Sequence, residues 1–324
     1  MRAILCKTLD GPESLALEDI PVPSPAAGEV LVRVTVAALN FLDTLIVRGK
    51  YQFKPQLPFS PGSEVAGVVE RVGEGVTHLT PGMRVMGYAR AGGCREFTVL
   101  PAKGLLPVPE GVSDEAAAGL TITYGTAIHG LRDRGRLSPG ETLAVLGASG
   151  GAGLAAVEVG KALGARVIAC ASSPEKLAVC RDHGADELLN YDVEDLKDAL
   201  RARSGDAGPN VIYDCVGDRY AEPALRAIAW AGRYLVVGFA AGEIPRIPLN
   251  LLLLKGCEMA GVFFGRFTEL EPEKHRRNVE QLLAWCQDGT LKPHIGKVFP
   301  LEETAEAIKL LDSRKAVGKV VIKV

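Results

Sequence analysis

The sequence feature that most constrains this chain is a glycine-rich segment directly after a short apolar run. The run Thr142–Leu146 leads into Gly147-Ala148-Ser149-Gly150-Gly151-Ala152-Gly153, and an alanine- and valine-rich stretch follows. This order predicts a strand, a tight turn and a helix, because glycine permits a sharp turn and a close backbone approach. The unpaired N–H groups at the start of such a helix attract an anion. The segment therefore predicts a site for the pyrophosphate of a dinucleotide.

Composition and charge place the chain among ordinary globular proteins. Its 324 residues suffice for about two domains. A formal net charge of −2 gives no excess of positive charge that would favour binding to nucleic acid or to an acidic membrane surface. The longest apolar run, at 248–254, is too short to cross a bilayer, and the first residues lack the apolar core of a secretory signal. Seven dispersed cysteines without a C-x-x-C pair predict reduced thiols, so we expect a cytoplasmic protein.

The amino-terminal third of the chain has the pattern of a β-rich domain. Apolar and polar residues alternate there in the manner of strands, and glycine and proline turn signals separate the segments. The clearest such segments are 29–36, 65–72 and 84–87. A final segment at 318–324 has the same character, and we expect it to return to this domain and close its sheet.

From residue 142 onward, predicted strands and helices alternate. Ser173 and Pro174 are typical of the start of a helix, which should end at Gly184. Such alternation predicts an α/β fold with a parallel sheet and helices on both of its faces. The other predicted elements are buried strands at 142–146, 166–169, 211–214 and 233–237 and amphipathic helices at 273–288 and 302–312.

Several motifs carry a resemblance to a known family. They are Asn40-Phe41-Leu42-Asp43, Pro61-Gly62-Ser63-Glu64-Val65-Ala66-Gly67, Pro81-Gly82-Met83-Arg84-Val85, the glycine turn and Asp214-Cys215-Val216-Gly217. With them the chain resembles, from end to end, the zinc-independent quinone oxidoreductases of the medium-chain dehydrogenase/reductase superfamily. The resemblance implies a Rossmann-type dinucleotide-binding domain at 121–265, inserted into a β-rich GroES-like catalytic domain formed by 1–120 and 266–324. It also implies a homodimer joined through the edge strand of the dinucleotide domain, for which 257–264 is the candidate.

The positions that bind catalytic zinc in the zinc-dependent relatives carry other residues here. Asn40 stands where the first cysteine ligand is expected, and Ser63 stands where the histidine is expected. Only Cys94 lies in the region of the structural zinc lobe, and the five histidines are dispersed. A catalytic zinc needs three protein ligands, so we predict no metal. The Tyr-x-x-x-Lys pair of the short-chain dehydrogenases is missing as well.

A site without zinc restricts the acceptor of the hydride. Interconversion of an alcohol and a carbonyl benefits from a Lewis acid that stabilises an alkoxide. A quinone or an α,β-unsaturated carbonyl instead spreads the charge into a phenolate or an enolate, which hydrogen bonds can stabilise. We therefore expect an NADPH-dependent reductase of quinones or enones. An enoyl-thioester (acyl-CoA type) reductase and a low-turnover NADPH-binding protein remain as alternatives.

The end of the second strand of the dinucleotide domain favours NADPH over NADH. An NAD site usually has Asp or Glu there to bind the ribose 2′-OH. This chain has Ser172 and Ser173, with Lys176 slightly later, and such donors favour a 2′-phosphate. Helix capping by Ser173 and a solvated surface for Lys176 are the alternatives. Tyr191 and Arg314 match positions that often reach the adenosine phosphate in the family.

Further cofactor contacts are expected from the turn and from the carboxyl ends of later strands. In the family, the segment that opens the helix into the dinucleotide domain lies against the nicotinamide, which implicates Thr121 and Thr126. Helix capping and ordinary strand-to-helix turns are the competing interpretations. The remaining predicted cofactor contacts are Ser149, Gly150, Gly151, Ala152, Val216, Gly217, Gly238 and Phe239.

Asn40 and Tyr51 are the predicted catalytic residues. The Asn40 amide can donate a hydrogen bond to a substrate carbonyl without changing its protonation. Tyr51 matches a tyrosine at the substrate mouth, where it would orient the substrate or relay a proton, and a plain surface aromatic is the alternative. Asp43 shares a face of a helical turn with Asn40 and is grouped with the substrate contacts, although a structural role is favoured. Glu64 would hold its loop, and solvent would supply the proton.

Overall fold

A computed structural model describes residues 1–205 and 207–324, and these form two compact units. The first unit comprises 1–122, 283–287 and 293–324, and the second comprises 123–282 and 288–292. The sequence analysis gave 266–282 to the catalytic domain, whereas the structure groups these residues with the second unit. The physical reason is a buried contact, because Asn278 is fully buried and its Nδ2 donates a hydrogen bond to Asp133 Oδ2 at 3.2 Å.

Strands and helices are numbered in chain order. The strands are β1 Arg2–Cys6, β2 Leu15–Asp19, β3 Glu29–Leu39, β4 Glu64–Val72, β5 Arg84–Tyr88, β6 Phe97–Pro101, β7 Leu105–Pro107, β8 Thr142–Leu146, β9 Arg166–Ala171, β10 Glu187–Asn190, β11 Val211–Asp214, β12 Arg233–Val236, β13 Glu258–Gly261, β14 Ile295–Pro300 and β15 Lys319–Lys323. The α-helices are α1 Phe41–Ile46, α2 Asp114–Ala118, α3 Thr123–Ile128, α4 Gly151–Ala162, α5 Pro174–Asp182, α6 Leu196–Ser204, α7 Ala221–Ala227, α8 Asn250–Lys255, α9 Phe264–Leu270, α10 Pro272–Gln287 and α11 Thr304–Asp312.

The first unit is built on a seven-stranded sheet. Its strand order is β14-β15-β3-β4-β5-β7, and β6 pairs with β3. As predicted, the last strand of the chain returns to this sheet, where β15 runs antiparallel to β3 and parallel to β14. Val320 lies opposite Leu39 in this pairing, and both side chains are buried in the core of the unit. The pairing brings the start of β15, and with it Lys319, to the carboxyl end of β3.

The second unit is built on a six-stranded, fully parallel sheet. The order β10-β9-β8-β11-β12-β13 confirms the predicted Rossmann-type arrangement. The predicted start of α5 is also confirmed, since Ser173 Oγ accepts the Lys176 N–H at 3.4 Å and Pro174 is the first helical residue. Two boundaries differ from the predictions. The helix expected to open at Thr121 begins at Thr123, and the edge strand predicted over 257–264 is limited to β13, because α9 already begins at Phe264.

The glycine turn joins β8 to α4 along a path that requires glycine at two positions. Gly147 has a φ of +72°, in the left-handed region. A Cβ atom at Gly153 would lie 2.1 Å from the carbonyl oxygen of Gly147, so the helix approaches the turn closely only without a side chain there. Among the described residues no side chain caps the start of α4, and its first turn holds no acidic residue. The first N–H groups of the helix are therefore open to an anion.

The longest apolar run and the cysteines were the two compositional features from which expectations were drawn. The apolar run at 248–254 contributes to α8, which is six residues long. Residues 1–205 and 207–324 contain no helix with the length and apolarity needed to span a membrane. All seven cysteines carry free thiols.

Gly153→Ala is expected to destabilise the second unit, because the added Cβ would collide with the Gly147 carbonyl and push α4 away from the turn. Overpacking of this kind costs about 1–3 kcal/mol. Gly150→Ser is the matched control, since a Cβ at Gly150 meets only an ordinary contact at 3.6 Å and serine is favoured as a helix N-cap. Urea unfolding of the two variants and the parent protein measures the effect. Equal unfolding midpoints for the two variants would contradict the geometry of the turn.

Candidate functional site

A buried polar cluster lies in the first unit, where the carboxyl end of β3 meets the starts of β4 and β15. We call Asn40, Asp43, Glu64 and Lys319 the Asn40 cluster. Their exposed fractions are 7%, 1%, 0% and 2%, respectively. Polar and charged groups are buried this deeply only when they are paired and hydrogen-bonded. The pairing within the cluster therefore determines what its residues can do.

The centre of the cluster is an ion pair that also holds an amide. Lys319 Nζ donates to Glu64 Oε2 and to Asn40 Oδ1, both at 2.8 Å. Asn40 Nδ2 donates to the same Glu64 oxygen at 2.7 Å, and the Ile122 N–H donates to Glu64 Oε1 at 2.6 Å. The Asn40 amide thus has its oxygen and one of its N–H groups engaged, and its orientation is fixed from two sides.

Asp43 organises the loop beside Asn40. Its Oδ2 accepts the Asn40 N–H at 2.8 Å, and its Oδ1 accepts the Gly62 N–H and the Ser63 hydroxyl, both at 3.1 Å. Burial raises the pKa of Asp43 to about 6, and these hydrogen bonds and the Lys319 charge limit the rise. Sequence reasoning grouped Asp43 with the substrate contacts. In the structure the carboxylate is buried and directed at its own loop, which supports the structural role that was favoured from the sequence.

Two polar residues of this region were missed from the sequence. Lys319 opens the last strand, 255 positions from Glu64, and a lysine beside an apolar run gives no sign that it is buried. Tyr88 ends β5, and the raised pKa of its hydroxyl, caused first by burial and then by Tyr51, indicates that the two tyrosines lie near each other. Strand pairing places both residues in this region. The sequence predicted that the last strand returns to this sheet, but it did not predict which strands lie side by side.

Tyr51 lies half-buried against the core of the first unit. Burial and the nearby Asp43 carboxylate raise the pKa of its hydroxyl. A phenol with a raised pKa stays protonated, so it can donate a hydrogen bond but gives up its proton less readily. Of the two roles predicted for Tyr51, the electrostatics favour orientation over proton transfer.

In the second unit, the loops after β8, β11 and β12 lie together at the carboxyl ends of their strands. A Cβ on Gly147 would lie 2.8 Å from a methyl of Val216, and a Cβ on Gly217 would lie 2.8 Å from the Phe239 ring. The structure thus brings the predicted residues of these loops next to the glycine turn. This is the edge of an open α/β sheet where ligands bind.

Asp214 fixes the loop after β11, a role that the sequence analysis did not assign. Its Oδ1 accepts the N–H groups of Val216 at 2.7 Å and Gly217 at 2.9 Å, and its Oδ2 accepts the Tyr234 hydroxyl at 2.6 Å. Burial raises the pKa of Asp214. The carboxylate therefore shapes the loop and leaves Val216 and Gly217 at its tip.

The end of β9 carries the residues predicted for a 2′-phosphate. Lys176 Nζ donates to Ser172 Oγ at 3.1 Å, while Ser173 caps α5, so the alternative role considered for Ser173 is confirmed. Tyr191 follows β10, donates its N–H to the Ala171 carbonyl at 3.2 Å and packs near Tyr220 with ring centres 4.6 Å apart. Ser172, Lys176 and Tyr191 thus lie at one end of neighbouring strands.

The other predicted contacts are divided between the units. Thr126 is buried in α3 of the second unit. Thr121 is buried in the first unit, in the turn before α3. Arg314 also belongs to the first unit, where it follows α11 with a φ of +60°. Their roles as cofactor contacts remain predictions.

The two residues that the resemblance compares with zinc ligands are hydrogen-bonded within the protein. Asn40 is held by Lys319 and Glu64, and Ser63 donates to Asp43. Within the described part of the chain, no group of three or more His, Cys, Asp and Glu side chains is arranged to hold a metal ion.

Comparisons with known proteins agree with this architecture. Residues 26–110 match the family model of the alcohol dehydrogenase GroES-like domain, and residues 151–286 match that of the zinc-binding dehydrogenases. The quinone oxidoreductase-like protein 2 homolog of Nematostella vectensis is 40% identical over 325 residues, which cover 99% of this chain and 88% of that protein.

Solved structures are similar over the full length. The quinone oxidoreductase of Thermus thermophilus, determined also as its complex with NADPH, is 35% identical with a TM-score of 0.88. The Escherichia coli quinone oxidoreductase complexed with NADPH is 28% identical with a TM-score of 0.93. Both similarities cover 100% of this chain and of the other chain. The predicted family is thereby confirmed: this chain belongs to the quinone oxidoreductase family of the medium-chain dehydrogenase/reductase superfamily.

Proposed function

We propose that this protein is an NADPH-dependent reductase that transfers hydride to quinones or other α,β-unsaturated carbonyl compounds without zinc. The observation that carries the proposal is the Asn40 cluster, in which Lys319 and Glu64 hold a neutral amide where zinc-dependent relatives have a cysteine ligand. When bound, NADPH supplies the hydride. Similar quinone oxidoreductases solved as complexes with NADPH support this cofactor.

The glycine turn is the proposed site of the pyrophosphate. Gly153 lets α4 begin directly against the Gly147 carbonyl, and the open N–H groups of α4 favour an anion. The contacts of Gly147 with Val216 and of Gly217 with Phe239 support a binding edge that includes the later loops. The proposed cofactor contacts are Thr121, Thr126, Ser149, Gly150, Gly151, Ala152, Ser172, Ser173, Lys176, Tyr191, Val216, Gly217, Gly238, Phe239 and Arg314.

The donor set of the Asn40 cluster supports a reaction without zinc. An amide and a hydroxyl are poor substitutes for the thiolate and imidazole ligands of a catalytic zinc. The Lys319 ammonium also places a fixed positive charge 2.8 Å from the Asn40 oxygen, and a second cation beside it would be repelled. The proposed site therefore uses hydrogen bonds in place of a Lewis acid.

Asn40 is the proposed donor to the substrate. Its second Nδ2–H would bind the carbonyl oxygen and stabilise the negative charge that develops there as hydride reaches the conjugated carbon. The Tyr51 hydroxyl would help to orient the substrate. Water would then protonate the enolate or phenolate, since Asp43 and Glu64 are engaged in their own hydrogen bonds.

Steady-state NADPH oxidation with a quinone, an enone and a crotonyl thioester tests the proposal. We expect turnover with the first two, and we expect Asn40→Ala to lower kcat about 100-fold, because an oxyanion donor is lost. The dissociation constant for NADPH should stay the same and serves as the control.

Other outcomes of this panel contradict the proposal in defined ways. Turnover only with the thioester would point to an enoyl-thioester reductase. Tight NADPH binding without any acceptor-dependent oxidation would point to a binding protein. An unchanged kcat in Asn40→Ala would remove Asn40 from the mechanism.

The choice of nicotinamide is tested at the end of β9. We expect a higher kcat/KM with NADPH than with NADH, and we expect Ser172→Asp to lower the NADPH value at least tenfold, or about 1.4 kcal/mol, by repelling the 2′-phosphate. The NADH value should change little. Ser24→Asp, which adds the same charge to an exposed loop of the first unit, is the control. Equal kcat/KM values for the two cofactors in the parent protein would refute NADPH selectivity.

We propose that the chain forms a homodimer through β13. The N–H groups of Glu258 and Val262 point to β12, so the N–H of Met259 faces the open edge of the sheet. Leu253 and Leu254, two helical leucines shortly before this strand, are 80% and 67% exposed. An apolar surface beside an unpaired strand edge favours pairing with a second copy.

Met259→Pro is expected to weaken this dimer, because proline removes the outward N–H without removing a hydrogen bond to β12. Light scattering should give twice the 34.3 kDa chain mass for the parent protein and for the control Met259→Leu, and a mass near 34.3 kDa for Met259→Pro. A monomeric parent protein would contradict the proposed dimer.

A further inference from the structure

We propose that Lys319 is a positioning residue for the reduction, which fixes the Asn40 amide in one orientation and polarises it toward the substrate carbonyl. The inference rests on the proposed reductase function and deepens it. It assigns to the last strand of the chain a part in the reaction that the strand's sequence does not suggest.

Lys319 acts through Asn40 because its ammonium group has an acceptor within the protein for each of its hydrogens. Its Nζ reaches Glu64 Oε2 and Asn40 Oδ1 at 2.8 Å and the Leu39 carbonyl oxygen at 3.4 Å. An ammonium group has three hydrogens, and three acceptors are present. With 2% of its surface exposed, the side chain is also closed to a substrate.

The ion pair permits only one orientation of the amide. In the observed orientation, the Asn40 oxygen faces the Lys319 ammonium and the Asn40 nitrogen faces the Glu64 carboxylate. A flipped amide would set N–H groups against the ammonium and an oxygen against the carboxylate. The fixed orientation leaves one Nδ2–H, and among the described residues no acceptor takes it. That hydrogen is the donor available to a carbonyl.

The charge of Lys319 also strengthens this donor. A cation at the amide oxygen draws electron density from the nitrogen, and hydrogen bonds in a chain polarise one another in a low-dielectric site. The Glu64 carboxylate balances the lysine charge and is itself held by the Ile122 N–H at 2.6 Å. A positioned and polarised amide fits an acceptor whose oxygen becomes negative only as hydride arrives.

The alternative is that Lys319 and Glu64 only stabilise the fold. The double variant Lys319→Met/Glu64→Gln separates the two roles. Replacement of a buried ion pair by neutral groups of similar volume is often tolerated, whereas removal of one partner is strongly destabilising. In the double variant, the amide nitrogen introduced by Glu64→Gln would favour the flipped Asn40 amide, so orientation and charge are lost together.

The test compares the parent protein, the double variant and Lys323→Met, an exposed lysine on the same strand. We expect the double variant to unfold near the parent midpoint and to bind NADPH normally, with kcat for a quinone lowered about tenfold or more and a smaller change in KM. Lys323→Met should match the parent protein. A folded double variant with the parent kcat would overturn the inference. A parent protein that binds NADPH without reducing any acceptor would instead overturn the proposed function.

A spectroscopic measurement needs neither turnover nor the double variant. In the ¹⁵N-labelled parent protein, with Asn40→Ala used for assignment, the two Asn40 Nδ2 hydrogens should differ. The one bound to Glu64 should lie downfield and exchange slowly, and the other should exchange faster and shift when a phenolate is added. Two hydrogens that behave alike, or a phenolate that shifts neither, would overturn the inference.

Discussion

The buried ion pair between Lys319 and Glu64 is the interaction on which the first unit depends. Transfer of two charges out of water is expensive, and their mutual attraction offsets the cost only when every remaining donor and acceptor is also satisfied. Here the ammonium has three acceptors, and the carboxylate accepts hydrogen bonds from Lys319, Asn40 and the Ile122 N–H. The Glu64 carboxylate thereby connects the start of β4 with the last strand of the chain and with the turn before α3.

Under the proposed function, the same pair accounts for a reaction without zinc on a fold shared with zinc-binding dehydrogenases. Residues 151–286 match the zinc-binding dehydrogenase model, whereas the resemblance described above implies that Asn40 and Ser63 stand at the positions of two zinc ligands. In the proposed reaction, the positive charge beside the substrate comes from a lysine, and one amide N–H delivers its effect. Such a site stabilises charge less strongly than a metal does, which matches it to acceptors that delocalise the charge themselves.

Local patterns predicted much of the fold, and long-range pairing decided most of the rest. Periodicity and turn signals predicted four of the six strands of the parallel sheet, and Ser173-Pro174 predicted the start of α5, because these depend on neighbouring residues. The burial of Lys319 depends on β15 lying beside β3, which a reading of five residues does not reveal. The assignment of 266–282 failed for a similar reason, since the buried contact of Asn278 with Asp133 spans 145 positions. For the site, the family resemblance selected Asn40 and assigned Glu64 to its loop, but it did not include Lys319.

Three buried carboxylates all accept hydrogen bonds from backbone N–H groups. This bears on which group supplies the proton in the proposed reaction. Asp43 accepts the N–H groups of Asn40 and Gly62, Asp214 accepts those of Val216 and Gly217, and Glu64 accepts that of Ile122. A carboxylate oxygen that holds backbone N–H groups is directed at its own loop and is not free to face a substrate. These residues therefore shape loops, and in the proposed reaction none of them is assigned as the proton donor. In the proposed reaction, Tyr51 orients the substrate and water supplies the proton.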